Sequence, residues 1–561
     1  MTPKQQSFVR SAEDRLVSFH RFFLDLPGRG PALRIVFVWL ALVSFARGAD
    51  YQFSVPVGGS HSDARAFLWI PPKCEHVRGI LLGQQVILEK RVCDDPFIRA
   101  ACTKENLAIL LCYDTPLGYF DYSQGADKKL QQILDDLAAE SGYSEIARVT
   151  LLPFGHSGNA IFAGTIGYWN PARTLGIITL HAATIMPPAF DHKATLDGIP
   201  LLAVTGENEM WVSTNKPLDM HWRWLRGGLL DLRGQFTDAL VSEIVQPGAT
   251  HFSWDEPLAR HVALFIEKVA AARLPKDVAS TNLNHLVQAD GWLTDNALMT
   301  PSRFAPAPYR NFKGDPTLAF WHVDKELALA TEHFEAQYKG KADQRVTLVQ
   351  DGKPIKPEWM PTMKFEPEKD GVSFKVAADF LKVTPEGVFG AGQPLGHADG
   401  KIQFYLIGGW GGGGEQTGAN SFRIRFSNFG INGRGCNLML MAYHEGDKKF
   451  KYAEQPAQVV FPQKLTNGVP QKIKFEQIFD QPCEVKTLNL VATSDSGLPV
   501  DFLVRQGPCD VRDGKLVFTE IPPRTKFPVK VTVVAWQYGH GGVAPVQSAA
   551  PVEQTFLIQT Q

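Results

Sequence analysis

Ser157 sits in a stretch that could make it a nucleophile. Val149-Thr-Leu-Leu-Pro-Phe154 is an apolar run of strand length, Gly155-His156-Ser157-Gly158-Asn159 follows as a glycine turn, and Ala160, Ala163, Gly164 and Gly167 then recur at helical spacing. A serine on a sharp strand-to-helix turn stands clear of its neighbours, and the first N–H groups of the helix point to where an oxyanion would form. Such a serine needs a histidine to take its proton and a carboxylate to orient that histidine. Both follow on later loops. The run Ile199 to Thr205 leads into Gly206-Glu207-Asn208-Glu209, and Leu240 to Gln246 leads into Pro247-Gly248-Ala249-Thr250-His251. The chemistry on offer is acyl transfer through a serine, with His251 as base and Glu209 or Glu207 as its partner.

Stabilising an oxyanion takes two donors. The Gly158 backbone N–H is one, and Gln84 or Gln85, after the run that ends at Gly83, is the expected source of the other. His156 and Trp211 are assigned to substrate binding. Trp211, Trp222 and Trp224 follow the acid loop and form either an apolar, sugar-stacking wall or part of the core. His181 reads as pocket-lining or structural, and His221, His397 and His540 lack supporting context.

These residues need a scaffold. Short strand-like segments occupy Tyr51 to Pro72, and Val77 to Gln85 and Leu107 to Tyr113 are apolar runs flanking a helical segment, Pro96 to Glu105. Leu130, Ile133, Leu134 and Leu137 share one helical face between Ala126 and Ser141, and Leu175 to Leu180 is another strand. Leu258, Val262, Phe265, Ile266 and Val269 stripe a closing helix. This alternation is the signature of a parallel sheet with helices on both faces.

The Gly155-His-Ser157-Gly turn, with Glu209 and His251 following in the order serine, acid, histidine, resembles the α/β-hydrolase superfamily over residues 50–275. The resemblance implies a doubly wound α/β-hydrolase sheet, hydrolysis of an ester through an acyl-enzyme, and Glu209 rather than Glu207 at the acid position. Asn159 departs from the expected final glycine of G-x-S-x-G and implies altered packing of helix on strand. A hydrolase followed by β-modules is similar to secreted bacterial carbohydrate esterases.

Beyond residue 275 the character changes. Residues 276–343 are a mixed linker with a helical stretch from Asp324 to Gln337, 344–465 are β-rich, and 466–561 have the strand and turn spacing of an immunoglobulin-like sandwich. The expected fold class is therefore α/β with C-terminal all-β, sandwich-like domains. The glycine-rich Gly408 to Gly414 lacks phosphate-loop spacing and reads as a hairpin connection.

A chain of 561 residues, 44% apolar and 20% charged, has ample material for several cores. A net charge of −1 gives no footprint for nucleic acid or an anionic membrane. The apolar run Ile35 to Ala46, after Arg29 and Arg34 and before Arg47-Gly48-Ala49, reads as a signal peptide within a leader of residues 1–49. It is too short for a permanent span, so the expected location is secreted or periplasmic. Seven cysteines do not make a disulfide framework; Cys74–Cys112 and Cys93–Cys102 are the candidate pairs. Nothing calls for a metal or organic cofactor. Two functions fit: an esterase acting on small-molecule or polysaccharide esters, with lipase or peptidase as variants, or a non-catalytic surface- or carbohydrate-binding protein on a hydrolase scaffold.

Overall fold

The central sheet follows from runs that are apolar on both sides of the strand. β1 (Phe53–Pro56), β2 (Arg65–Trp69), β3 (Gly79–Gln84), β4 (Leu107–Tyr113), β5 (Thr150–His156), β6 (Ile177–Leu180), β7 (Pro200–Gly206) and β8 (Leu240–Gln246) join in the order β1-β2-β4-β3-β5-β6-β7-β8. β2 runs antiparallel to both neighbours, and β3 to β8 are parallel. This is an α/β-hydrolase sheet. The computed structural model describes residues 51–561 except 60–63, 183–184, 192, 210–220, 297–301, 337–338, 357, 387–389, 409–412, 429–436 and 561, with only the backbone of 221–222. The leader with its signal-peptide reading, and Trp211, lie outside the described residues.

Alternation assigns the two faces. Leu81, Ile109, Leu111, Leu152 and Val204 point into one core, with α1 (Glu89–Asp94), α2 (Pro96–Glu105) and the closing helix α6 (Glu256–Arg273). Ile80, Leu82, Ala108, Leu110 and Leu151 point to the other, under α3 (Ala126–Ser141) and α4 (Asn159–Trp169). α5 (His221–Gln235) covers β7 and β8 on that second side. Local chemistry sets the ends: Asp95 caps α2 ahead of Pro96, Asn106 closes it at φ 53°, and Asp255 caps α6. α7 (Lys325–Ala336) lies in the mixed segment, beside a small sheet of Trp292–Thr294, Ala307–Pro308 and Phe320–His322.

Two further layers follow. Gln403–Gly408, Asn437–His444, Ala453–Val460 and Thr362–Lys364 form a four-stranded sheet facing a three-stranded one of Ser373–Lys375, Ser421–Ile424 and Gly414–Gln416. The sequence Asn437-Leu-Met-Leu-Met-Ala442 is apolar on both sides because both sides are covered. Leu438 and Leu440 fill the space between the two sheets, and Met439 and Met441 enter the hydrolase core beside α6. Val529–Trp536 is double-faced in the same way: Val529, Val531 and Val533 join the core beneath α3, and Val534 and Trp536 join the sandwich core. The described residues thus belong to one compact unit with shared cores.

Two expectations need correction. Gln403–Gly408 and Gly414–Gln416, the strands flanking the glycine-rich stretch, pair in different sheets and not with each other, so they do not form a hairpin. Neither candidate disulfide exists. Cys74, Cys93, Cys102 and Cys112 are free, and burial in apolar surroundings raises the Cys93 thiol and pushes Cys102 and Cys112 up to about 12, so they act as small apolar side chains. Among the described residues no helix is long and apolar enough to cross a membrane.

Candidate active site

Ser157 occupies the turn between β5 and α4 with φ 55°, a left-handed conformation that costs a non-glycine residue about 1–3 kcal/mol. Gly155 makes the turn possible: a Cβ there would fall 2.0 Å from the Asn159 backbone oxygen. Gly158 is less constrained. It sits at φ −58° and a Cβ would meet the Tyr119 side chain, its hydroxyl at 3.4 Å.

The loops after β7 and β8 bring the other groups to this turn. His251 Nε2 lies 2.8 Å from Ser157 Oγ, and His251 Nδ1 lies 2.5 Å from Glu209 Oε1. Glu209 is buried and also accepts the Gly206 N–H at 2.6 Å on Oε2. Burial alone would raise its carboxyl, but the charge and hydrogen bonds of His181 and His251 outweigh that and hold it well below the usual carboxylate range.

Glu207 is placed elsewhere. It accepts the Gly248 N–H at 2.8 Å and the Lys451 ammonium at 2.7 Å, so it ties the histidine loop to the β-rich segment.

His156 is fully buried and cannot line a substrate surface, which corrects its assignment. Its Nε2 lies 2.8 Å from the His251 carbonyl; burial, with His251 and His181 nearby, lowers its pKa well below the usual value, so the ring is a neutral Nε2–H donor. His181 lies at the end of β6 with its Nδ1 3.1 Å from the second Glu209 oxygen.

The loop after β3 shows why Asn159 stands where a glycine was expected. Its Nδ2 donates to the Gln84 carbonyl and, at 3.3 Å, to Glu89 Oε1. Glu89, in the first turn of α1, has no exposed surface and gathers four donors: Val86 N–H at 2.8 Å and Ile87 N–H at 3.0 Å on one oxygen, His156 N–H at 3.0 Å and Asn159 Nδ2 on the other. One carboxylate thus binds the loop to the serine turn. Burial raises its pKa, against these donors. Gln85 is excluded as an oxyanion donor because its backbone N–H is taken by the Cys112 carbonyl at 2.8 Å. Gln84 remains in position at the end of β3, its side chain held by Gly118 and Thr115.

The β-rich segment reaches the same place. Glu454 Oε1 accepts the Thr250 N–H at 2.6 Å and the Thr250 hydroxyl at 2.8 Å, and its other oxygen accepts Tyr452 OH at 2.7 Å. Gly248 needs its φ of 77°, and a Cβ there would fall 2.1 Å from the Tyr452 carbonyl oxygen. The Trp359 ring lies 5.3 Å from that of His251 and 5.1 Å from that of Phe252. The histidine loop is therefore gripped from outside the α/β sheet.

Glu89, Lys451, Glu454 and Trp359 escape sequence reasoning. A glutamate opening a helix reads as an ordinary first-turn acid, and the other three lie about 200 to 300 residues from the serine turn, in a different stretch of the sequence. Trp224, of the proposed tryptophan wall, is exposed on α5.

No protein-family model matches the sequence, and no curated protein matches it. Among solved structures, the chain is similar to the esterase domain of a Rhodothermus marinus protein, at 14% identity over 39% of this chain and 96% of that one, with a TM-score of 0.25. It is similar to a ferulic acid esterase from Anaeromyces mucronatus, at 13% identity over 39% and 90%, TM-score 0.27. A Pyrobaculum calidifontis esterase shares 12% identity over 39% and 85%, TM-score 0.28. The fold class stands on the strand order described above.

Proposed function

We propose that the protein is a serine hydrolase of carboxylic esters that works through an acyl-enzyme. The observation that carries this reading is the unbroken chain Ser157 Oγ, His251 Nε2, His251 Nδ1, Glu209 Oε1, at 2.8 and 2.5 Å, on a strained turn at the head of α4. Ser157 Oγ attacks the acyl carbon as its proton passes to His251 Nε2, and Glu209 stays ionised, accepts the Nδ1–H hydrogen bond and stabilises the imidazolium. The negative oxygen of the tetrahedral intermediate lies toward the Gly158 N–H, with Gln84 as the source of the second donor. His251 then protonates the departing alkoxide as the acyl carbon–oxygen bond breaks. Water, losing a proton to the same nitrogen, attacks the acyl carbon, and the acid leaves as Ser157 is restored. Tyr119, 60% exposed and beside Gly158, offers a hydroxyl to the bound ester.

The experiment is fluorophosphonate labelling, read by mass spectrometry, with turnover of small aryl esters. Labelling at Ser157 and loss of turnover in S157A are expected; full turnover by S157A overturns the mechanism. We extend the reading to a secreted or periplasmic enzyme, supported by the apolar run Ile35 to Ala46, with acylated polysaccharides as the proposed substrates. A mature N-terminus near Ala49 or Asp50 tests the first part, and a panel of acetylated, feruloylated and uronoyl esters tests the second.

A further inference from the structure

We propose that His181 is a positioning residue of this site: a doubly protonated imidazolium that holds Glu209 ionised and aimed at His251. The proposal rests on the reading of Ser157, His251 and Glu209 as a hydrolytic triad. His181 has no exposed surface, and both of its nitrogens face acceptors, Glu209 Oε2 at 3.1 Å from Nδ1 and the Ser253 carbonyl at 3.0 Å from Nε2. A carbonyl has no proton to give, so Nε2 carries a hydrogen. The remaining proton lies between Nδ1 and Glu209. That carboxyl already receives the Gly206 N–H at 2.6 Å and faces His251 Nδ1 at 2.5 Å. Donors aimed at a carboxyl favour its charged form, so the shared proton belongs on the ring.

The surroundings agree. The acids around His181 are Glu209 on the β7 loop, Glu454 on the β-rich segment and Asp255 at the head of α6; burial raises Glu454 to about 7 and raises Asp255, so Glu209 supplies the close charge, while the rings of His156 and His251 stand 6.1 and 6.3 Å away. Burial works against a charged ring here, and the charge and hydrogen bond of Glu209 outweigh it, raising the pKa of His181.

A buried carboxylate without a counter-charge is unfavourable, and His181 supplies that charge before His251 has any. It also fixes the second carboxylate oxygen, so the first is aimed whatever the state of His251. Glu209 is then shared between two imidazoles, which weakens its hold on a proton at His251 and keeps Nε2 available as a base. The sequence does not mark this pairing, because the partner of His181 lies 28 residues away on the loop after another strand.

The test uses the whole chain with two variants. H181F removes both the charge and the donors; H181N keeps an N–H near the Nδ1 position and loses the charge. The expected result is a loss in kcat of about 10- to 100-fold in H181F with KM changed by less than about threefold, and recovery of most of that loss in H181N. In both variants the acid limb of the kcat/KM profile moves to higher pH, because Glu209 now acts on His251 alone. An acid limb unmoved in both variants overturns the proposal. Nitrogen-15 spectra of histidine-labelled wild-type protein give a second readout. One ring with both nitrogens protonated at about pH 8.5, lost in H181N, is expected from the facing acceptors; absence of that ring also overturns it. Should wild-type protein lack Ser157-dependent turnover, the triad reading fails, and the spectra still decide the charge of His181.

Discussion

Replacing Glu89 with glutamine changes one oxygen of a fully buried carboxylate into an NH2 group. The carboxylate takes two donors on each oxygen: Val86 and Ile87 N–H on one, His156 N–H and Asn159 Nδ2 on the other. In E89Q one pair keeps its acceptor and the other faces an amide that can only donate. Two buried donors left unsatisfied, at about 1–3 kcal/mol each, give about 2–6 kcal/mol of lost stability. The kinetic effect follows from which groups move. Val86 and Ile87 carry the loop after Gln84, while His156 precedes Ser157, so whichever pair is lost, that loop and the Ser157 turn lose register. A misplacement approaching 1 Å costs on the order of 100-fold in rate. Urea denaturation gives the first quantity and kcat/KM on an aryl ester the second. An E89Q protein with unchanged urea midpoint and kcat/KM within about threefold of wild type would refute the reasoning.

Other substitutions separate roles that lie close in sequence. E209Q should lower kcat by about 10³- to 10⁴-fold, as loss of a triad acid does, whereas E207Q should retain at least about 100-fold more activity than E209Q and show mainly lower stability in denaturation. G155A should lose about 4 kcal/mol or fail to fold, because its methyl has only backbone to displace, while G158A, facing a movable tyrosine, should stay within about 1 kcal/mol of wild type; thermal melts distinguish them. Burial pushes Glu335 on α7 up to about 8, with Glu243 adding and Arg226 opposing. A carboxyl raised in the folded state contributes stability that is full below its unfolded value and lost as pH rises through the folded one. The melting temperature should therefore fall more between about pH 5 and about pH 8 in wild type than in E335Q.

The chain is unevenly legible from its sequence. Leu107–Tyr113 and Leu240–Gln246 were readable as strands, and Pro96–Glu105 and Ala126–Ser141 as helices, because apolar periodicity, proline and capping acids act within a few residues. The order of Ser157, Glu209 and His251 was readable too, since parallel strands deliver successive loops to one end of a sheet. The sequence alone therefore determined the α/β sheet and placed Ser157, His251 and the loop carrying Glu207 and Glu209 at its end. The β-rich half was readable only as strands. That Asn437-Leu-Met-Leu-Met-Ala442 is covered on both sides says nothing about what covers it. Tertiary structure decided which glutamate meets His251, why Asn159 replaces a glycine, that both His181 nitrogens face acceptors, and that Glu454 and Lys451 grip the histidine loop. Each of these is a hydrogen bond made by a polar side chain to a group distant in the chain, and such bonds leave no periodic mark because only the folded geometry selects the partner.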